Sequence, residues 1–260
     1  MSTILEKQLA DLQEKYAKGL LDKIDALEQA WVGIQADNSN TDAMRDFHRM
    51  AHTLSGSGKT FGYAAVSAGA QGIERIIEDT LARRAPLAIA AAKKIERFLG
   101  HLRRAAQSQP AHNVIASNIE NRLDQAFTES RTILVVDDDP NIRSLLKIKL
   151  EVLGFKVISA YDGQEGYAKA LSENPDLIIT DHNMPTANSD YMLSNINANN
   201  LTRNIPSIVI TAQKIGNQRD HALQRDLTGR CGAIAYLEKP VDFEALLQEI
   251  KRVIPIRRLP

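Results

Sequence analysis

The sequence predicts an α plus α/β protein: an N-terminal helical bundle (1–108), an amphipathic linker helix (109–130), and a parallel sheet interleaved with helices (131–255). Three observations carry this. The first 108 residues show helical periodicity, almost no β-branched runs and a single proline, Pro86. From Arg131, short β-branched runs alternate with helical stretches, the pattern of a parallel sheet covered on both faces. The 260 residues are 43% hydrophobic and 25% charged, enough apolar material for two cores and too much for a disordered chain.

The same composition narrows the function. Lys plus Arg equals Asp plus Glu at 32 each, which argues against nucleic acid or an anionic membrane as the main partner. One cysteine, Cys231, excludes an intrachain disulfide framework and fits a reducing cytosol. No stretch approaches the ~18 uninterrupted apolar residues of a membrane span. The start, Met1-Ser2-Thr3-Ile4-Leu5-Glu6-Lys7, turns charged at once and lacks a secretory apolar run. A soluble, cytoplasmic, two-domain protein is expected.

In the bundle, Leu5, Leu9, Leu12 and Tyr16 mark a first helix, and Leu20, Ile24, Leu27 and Trp31–Val32 a second. Asn38-Ser39-Asn40-Thr41 breaks the pattern and offers an N-cap. A third helix runs through Phe47 to about Phe61. A fourth holds Val66, Ile73, Ile76, Ile77 and Leu81, and a fifth Leu87, Ile95, Phe98 and Leu102. Helices joined by short turns with no strand signal make a bundle.

The linker stretch carries Ile115, Ile119, Leu123 and Phe127 at four-residue steps, an apolar stripe that calls for burial. Beyond it the candidate strands are Thr132–Val136, Lys156–Ser159, Leu177–Thr180, Ser207–Thr211 and Ala233–Leu237. Helices are expected to begin near Pro140, Gly163, Asn188, Asn217 and Asp242.

A ligand site on such a sheet lies beyond the carboxyl ends of its strands. Those ends hold Asp137-Asp138-Asp139, Asp181, Thr211 and Lys239-Pro240. Asp139 is expected to do no more than cap the following helix. The other carboxylates would repel one another without a cation, and Mg²⁺ with phosphate oxygens is the natural occupant. Lys239 supplies a point charge for the same phosphate, and the Thr211 hydroxyl can hydrogen-bond a phosphoryl oxygen.

Ile133-Leu134-Val135-Val136-Asp137-Asp138-Asp139-Pro140, Pro175-Asp176-Leu177-Ile178-Ile179-Thr180-Asp181-His182-Asn183-Met184-Pro185, Ile210-Thr211-Ala212 and Tyr236-Leu237-Glu238-Lys239-Pro240 resemble a response-regulator receiver domain. The resemblance implies a flavodoxin-like (βα)5 fold with strand order 2-1-3-4-5. It implies Asp181 as phosphoacceptor, Asp138 as a direct magnesium ligand, Asp137 acting largely through water, and the backbone carbonyl of Asn183 completing the set. It further implies Thr211 and Tyr236 as a switch pair, Lys239 as the phosphate lysine, and a cis bond before Pro240. Two departures stand out. Asn188-Ser189 replaces the family's usual Asp-Gly, so that turn is expected to differ, and the stretch from Thr211 to Lys239 is a few residues longer than the family's usual one.

His48 and His52 sit four apart on the third helix, a chelating distance, yet no third ligand is evident. At ~100° per residue, Phe47, Met50, Ala51, Leu54, Gly58 and Phe61 form one stripe, and His52 falls roughly 150° away. It is therefore expected to point outward. Gly56 and Gly58 suggest access or close packing, since a mid-helix glycine costs about 1 kcal/mol against alanine. Ala51-His52-Thr53-Leu54-Ser55-Gly56-Ser57-Gly58 with Phe61-Gly62 resembles the motif of histidine-containing phosphotransfer domains, which are four-helix bundles. That resemblance implies His52 as phosphohistidine; many members carry lysine where Ser55 stands, and Lys59, two turns on, is the candidate substitute. Gly56-Ser57-Gly58-Lys59-Thr60 looks like the end of a P-loop, but Thr53 replaces the required glycine and a helix, not a strand, precedes it.

Together these point to a phosphorelay protein that moves a phosphoryl group between His52 and Asp181 with Mg²⁺, rather than to a catalytic enzyme. Its partners would be a histidine kinase, a partner receiver or a phosphotransfer protein, with oligomeric state open. Three alternatives compete: a metal-dependent phosphohydrolase with Asp181 as nucleophile, the N-terminal part of a longer regulator with a catalytic output domain (for instance a diguanylate cyclase), and an interaction module with one silent phosphosite.

Overall fold

Neither proline nor cap interrupts the apolar repeat Tyr16, Leu20, Ile24, Leu27, Trp31, Ile34, and all six side chains are buried. In the computed structural model, which describes residues 2–108, 131–184, 188–211 and 233–254, this repeat forms a single helix, α1 (Ser2–Ala36). The two helices expected here are therefore one, because the 3–4 spacing carries through without a change of phase. The chain divides into two compact units, one helical and one α/β. Among the described residues, no helix is long and apolar enough to cross a membrane.

The helical unit continues with α2 (Thr41–Thr60), α3 (Ala64–Arg83) and α4 (Ile89–Ala106). Asn40 caps α2, its side chain accepting from the Ala43 N–H. Tyr16 stacks on Phe61 at 4.1 Å and its hydroxyl pairs with Ser57 Oγ at 3.0 Å. Arg103 on α4 reaches Asp25 and Glu28 on α1. The turn into α3 passes through Gly62 at φ 90° and returns the Tyr63 N–H to the Gly58 carbonyl at 2.8 Å. A Cβ on Gly58 would lie 3.0 Å from the Ser67 backbone nitrogen and 3.2 Å from the Tyr63 carbonyl oxygen. Close packing, not access, explains that glycine. α2 also runs straight through Gly56–Thr60, so those residues form no phosphate-binding loop.

The α/β unit comprises β1 (Thr132–Val136), α5 (Pro140–Val152), β2 (Lys156–Ala160), α6 (Gly163–Glu173), β3 (Leu177–Asp181), α7 (Ser189–Ala198), β4 (Ser207–Thr211), β5 (Ala233–Glu238) and α8 (Phe243–Val253). All strands are parallel, in the order β2-β1-β3-β4-β5. Every residue of β3 and β4 is buried, as a sheet covered on both faces requires. Leu134, Val136, Ile178 and Val209 pack with Met192, Leu193 and Ile196 of α7. Asp139, Asp162, Asn188 and Asp242 each cap the helix that follows. The Asn188-Ser189 departure thus yields an N-cap in which the Asn188 side chain accepts from the Tyr191 N–H. A Cβ on Gly166 would fall 2.5 Å from Met192 Sδ and 3.2 Å from Val136; only glycine lets α6 seat against the end of β1. The linker helix at 109–130 and the helix expected near Asn217 lie outside the described residues.

Candidate functional site

Because the strands are parallel and in register, β1, β3 and β4 deliver their last residues to one edge. Asp181 pairs in register with Ile210, one residue before Thr211. The carboxylate oxygens of Asp137, Asp138 and Asp181 come within 4.8 Å of one another. Lys239 closes the cluster: its Nζ lies 2.9 Å from Asp181 Oδ2 and 3.3 Å from Asp137 Oδ2, and its backbone N–H is held by the Thr211 carbonyl. The Lys239–Pro240 peptide is cis, as the resemblance implied.

The electrostatics are those of crowded anions out of water. Asp137 is 1% exposed. Burial is the main force pushing its carboxyl up to about 7; Lys239 opposes the rise, and Asp181 and Asp138 add to it. Burial pulls the Lys239 ammonium down, but Asp137, Asp181 and Asp138 outweigh it and hold it well above its ordinary range. Asp181, also 1% exposed, accepts no hydrogen bond at Oδ1 among the described residues. A buried, undonated carboxylate oxygen beside two more carboxylates is what a hard cation or a phosphoryl group would satisfy. Asp139 stands apart from the cluster's chemistry. Its Oδ1 accepts from the backbone and side chain of Asn141, the capping role expected of it.

Thr211 is buried at the end of β4, and Tyr236 is half-buried on β5. Tyr236 pairs with Val209 and Glu238 with Thr211, so Thr211 and Tyr236 share one face of the sheet on neighbouring strands. Asn183 sits half-buried two residues past Asp181. Between them is a residue the sequence did not single out. His182 is buried, with Nδ1 3.0 Å from Ser189 Oγ, and the Ser189 N–H reaches its carbonyl, which ties α7 to the end of β3.

The helical unit holds a second polar site. Here one expectation fails: His52 is 4% exposed, not outward-pointing. Periodicity identified the apolar face of α2, but α3 covers a second face, admitted by Ser55, Gly56 and Gly58, all buried. His52 Nδ1 meets Glu74 Oε1 of α3 at 2.5 Å. Burial would raise the Glu74 carboxyl, yet hydrogen bonds from His52 and Ser55 and the nearby His48 hold it below its ordinary value. Glu74 is therefore ionised and acceptor-only, so Nδ1 carries the proton. Nothing in the sequence named Glu74, a carboxylate between Ile73 and Ile77 on an apolar stretch. Lys59 is exposed. Among the described residues, the acidic cluster at the sheet edge is the group fit to hold a metal; the His48–His52 pair does not form one.

Residues 133–251 match the model of the response regulator receiver domain, and residues 11–129 that of the Hpt domain. Protein PilH of Pseudomonas aeruginosa is 35% identical over 122 residues, covering 47% of this chain and 96% of its own length.

The chain belongs to the response-regulator receiver family.

An Hpt domain precedes the receiver. The DNA-binding dual master transcriptional regulator RpaA of Synechocystis is 34% identical over 122 residues, 47% of this chain and 48% of its own. The chain thus spans about half the length of RpaA and, at 52%, of the regulator PhoB from Pseudomonas aeruginosa. The receiver domain of the Pseudomonas aeruginosa sensor histidine kinase PA1611, solved with magnesium in its active-site cleft, is 27% identical with a TM-score of 0.43, covering 48% of this chain and 98% of that one. The two matched domain types are those of phosphorelay signalling, and neither is a catalytic-enzyme family.

Proposed function

We propose that this protein relays phosphoryl groups, with Asp181 as the receiver's phosphoacceptor and His52 as the phosphohistidine of the Hpt domain. The observation that carries the reading is the buried Asp181 carboxylate, its Oδ1 without a donor among the described residues and its Oδ2 held 2.9 Å from the Lys239 ammonium, flanked by Asp137 and Asp138. The proposed division is an Hpt bundle at 1–108, a joining stretch at 109–130 and a receiver at 131–255. A reducing, cytoplasmic setting fits the single cysteine.

The residues present suit Mg²⁺. Asp137, Asp138, Asp181 and the backbone carbonyl of Asn183 would hold it, all hard oxygen donors. Bound there, the ion supplies positive charge to the phosphoryl oxygens. Asp181 attacks phosphorus in line; the P–N bond of a phosphohistidine breaks as the P–O bond forms, and the leaving imidazole nitrogen keeps the electron pair. Lys239 neutralises oxygen charge on the transferring group, and Thr211 offers a hydroxyl. At the Hpt site, the Glu74 carboxylate keeps the proton on Nδ1, which leaves Nε2 as the nucleophile of His52. Thr211 and Tyr236, on one sheet face, are the proposed switch pair. Partners are a histidine kinase, a partner receiver or another phosphotransfer protein.

Incubation with acetyl phosphate and Mg²⁺ tests the receiver site. Wild type gains one aspartyl phosphate, and Asp181→Ala or added EDTA abolishes it. Undiminished labelling of Asp181→Ala overturns the assignment. With a phosphorylated receiver as donor, His52 gains an acid-labile, base-stable phosphate, and His52→Gln gains none.

A further inference from the structure

We propose that the α3–α4 seam of the Hpt domain is a docking groove for an acidic amphipathic helix of a partner protein. A cavity of about 860 Å³ lies along this seam, with Ala68 and Gly69 of α3 on one side and Phe98 and Gly100 of α4 on the other. Leu102 and His101 of α4 close over Gly69, so the room for a third helix is the furrow outside that contact, beside the exposed Ala68; helix-in-groove recognition uses this shape.

Charge decides what kind of helix. Lys94, Arg97, His101 and Arg104 all line the groove and recur at intervals of three or four, so they form one row along α4. Ten residues at 1.5 Å each spread that row over about 15 Å. The lysine and arginine cations of this row, Lys94, Arg97 and Arg104, strung out in this way, suit carboxylates repeated over two or three helical turns, not a single phosphate. All four are exposed, and among the described residues Lys94, Arg97 and Arg104 enter no ion pair. One acid, Glu96, also lines the groove, and its carboxylate accepts from Gln35 Nε2 of α1 at 2.8 Å. By contrast, Arg103 on the neighbouring face of α4 is fully engaged by Asp25 and Glu28. No ion pair among the described residues neutralises the Lys94, Arg97 and Arg104 part of this row. His52 lies on the α2–α3 seam instead, so this surface does not depend on the phosphotransfer reading.

The test is fluorescence anisotropy with the full chain and a labelled 18-residue helical peptide carrying a leucine stripe flanked by glutamates. A peptide with lysine for every glutamate is the control. The acidic peptide is expected to bind saturably, more weakly as salt rises, and the lysine peptide not to bind. The triple variant Lys94→Glu, Arg97→Glu, Arg104→Glu should weaken binding at least tenfold. Ala68→Trp, which fills the groove without altering charge, should weaken it as well; circular dichroism checks that both variants keep their helix content. No saturable binding of the acidic peptide overturns the proposal. So does equal binding of the lysine peptide, or undiminished binding by either variant, since an Ala68→Trp protein that binds normally reduces the contact to surface charge outside the groove.

Discussion

Lys239 carries one positive charge against two buried carboxylates at hydrogen-bonding distance and a third nearby, so the resting receiver keeps an excess of anionic groups at its sheet edge. The cost falls on Asp137, whose carboxyl sits at about 7 against roughly 4 in an unfolded chain. The folded state therefore binds that proton more tightly. The associated stability is fully present below about pH 4 and is lost as pH rises through 7. In EDTA, the receiver melting temperature of wild type should fall across that window relative to Asp137→Asn; parallel curves for the two proteins would remove the argument. Glu74 makes a second residue-level case. Truncating it in Glu74→Ala deletes the partner that fixes the His52 tautomer; the comparable loss of a carboxylate behind a metal-bound histidine costs about 10- to 100-fold. Phosphate gain at His52 from a phosphorylated receiver should slow by about that factor while circular dichroism stays unchanged. The sequence revealed His52 and the strand-end carboxylates because each lies in a local motif. Glu74 was illegible since it meets His52 from 22 positions away. So was His52's burial, because one helix's periodicity says nothing of a second helix covering its other face.

At the level of elements, caps and strand ends were the most legible features. Asn40, Asp139, Asp162 and Asp242 stand where the following helices start, and no strand end differs from expectation by more than one residue. The error in α1 came from dividing one apolar repeat in two, although Gly19, which has open space around it, is too weak a breaker to end a helix. Gly58 shows the opposite case, a glycine that sequence propensity alone would replace. Alanine there gains about 1 kcal/mol in helix propensity but sets a methyl against the Ser67 and Tyr63 backbones at 3.0 and 3.2 Å. Backbone atoms cannot rotate aside as a side chain does, so the clash should win. Thermal unfolding of Gly58→Ala is expected at a lower temperature than wild type, with a melting point at or above wild type counting against close packing of α2 on α3.

On the scale of the whole molecule, each unit has its own apolar core and its own proposed phosphoacceptor. The helical unit is built round Tyr16, Phe47 and Phe61, and the α/β unit round Leu134, Ile178 and Met192. Separate cores predict separate unfolding, and a ligand of one unit should then stabilise that unit alone. Mg²⁺ with beryllofluoride, an aspartyl-phosphate mimic, provides the probe. At a concentration 100 times its Kd, a ligand bound only to the folded state adds about 2.7 kcal/mol. For a domain of this size that raises the melting temperature by on the order of 10 °C. Calorimetry of the full chain should show two transitions, one moving by about that amount on adding the mimic and the other staying in place. The same addition to Asp181→Asn should move neither. A single transition, or two that shift together, would mean that the Hpt domain and the receiver unfold as one body, and phosphate on Asp181 would then be felt at His52 through stability alone.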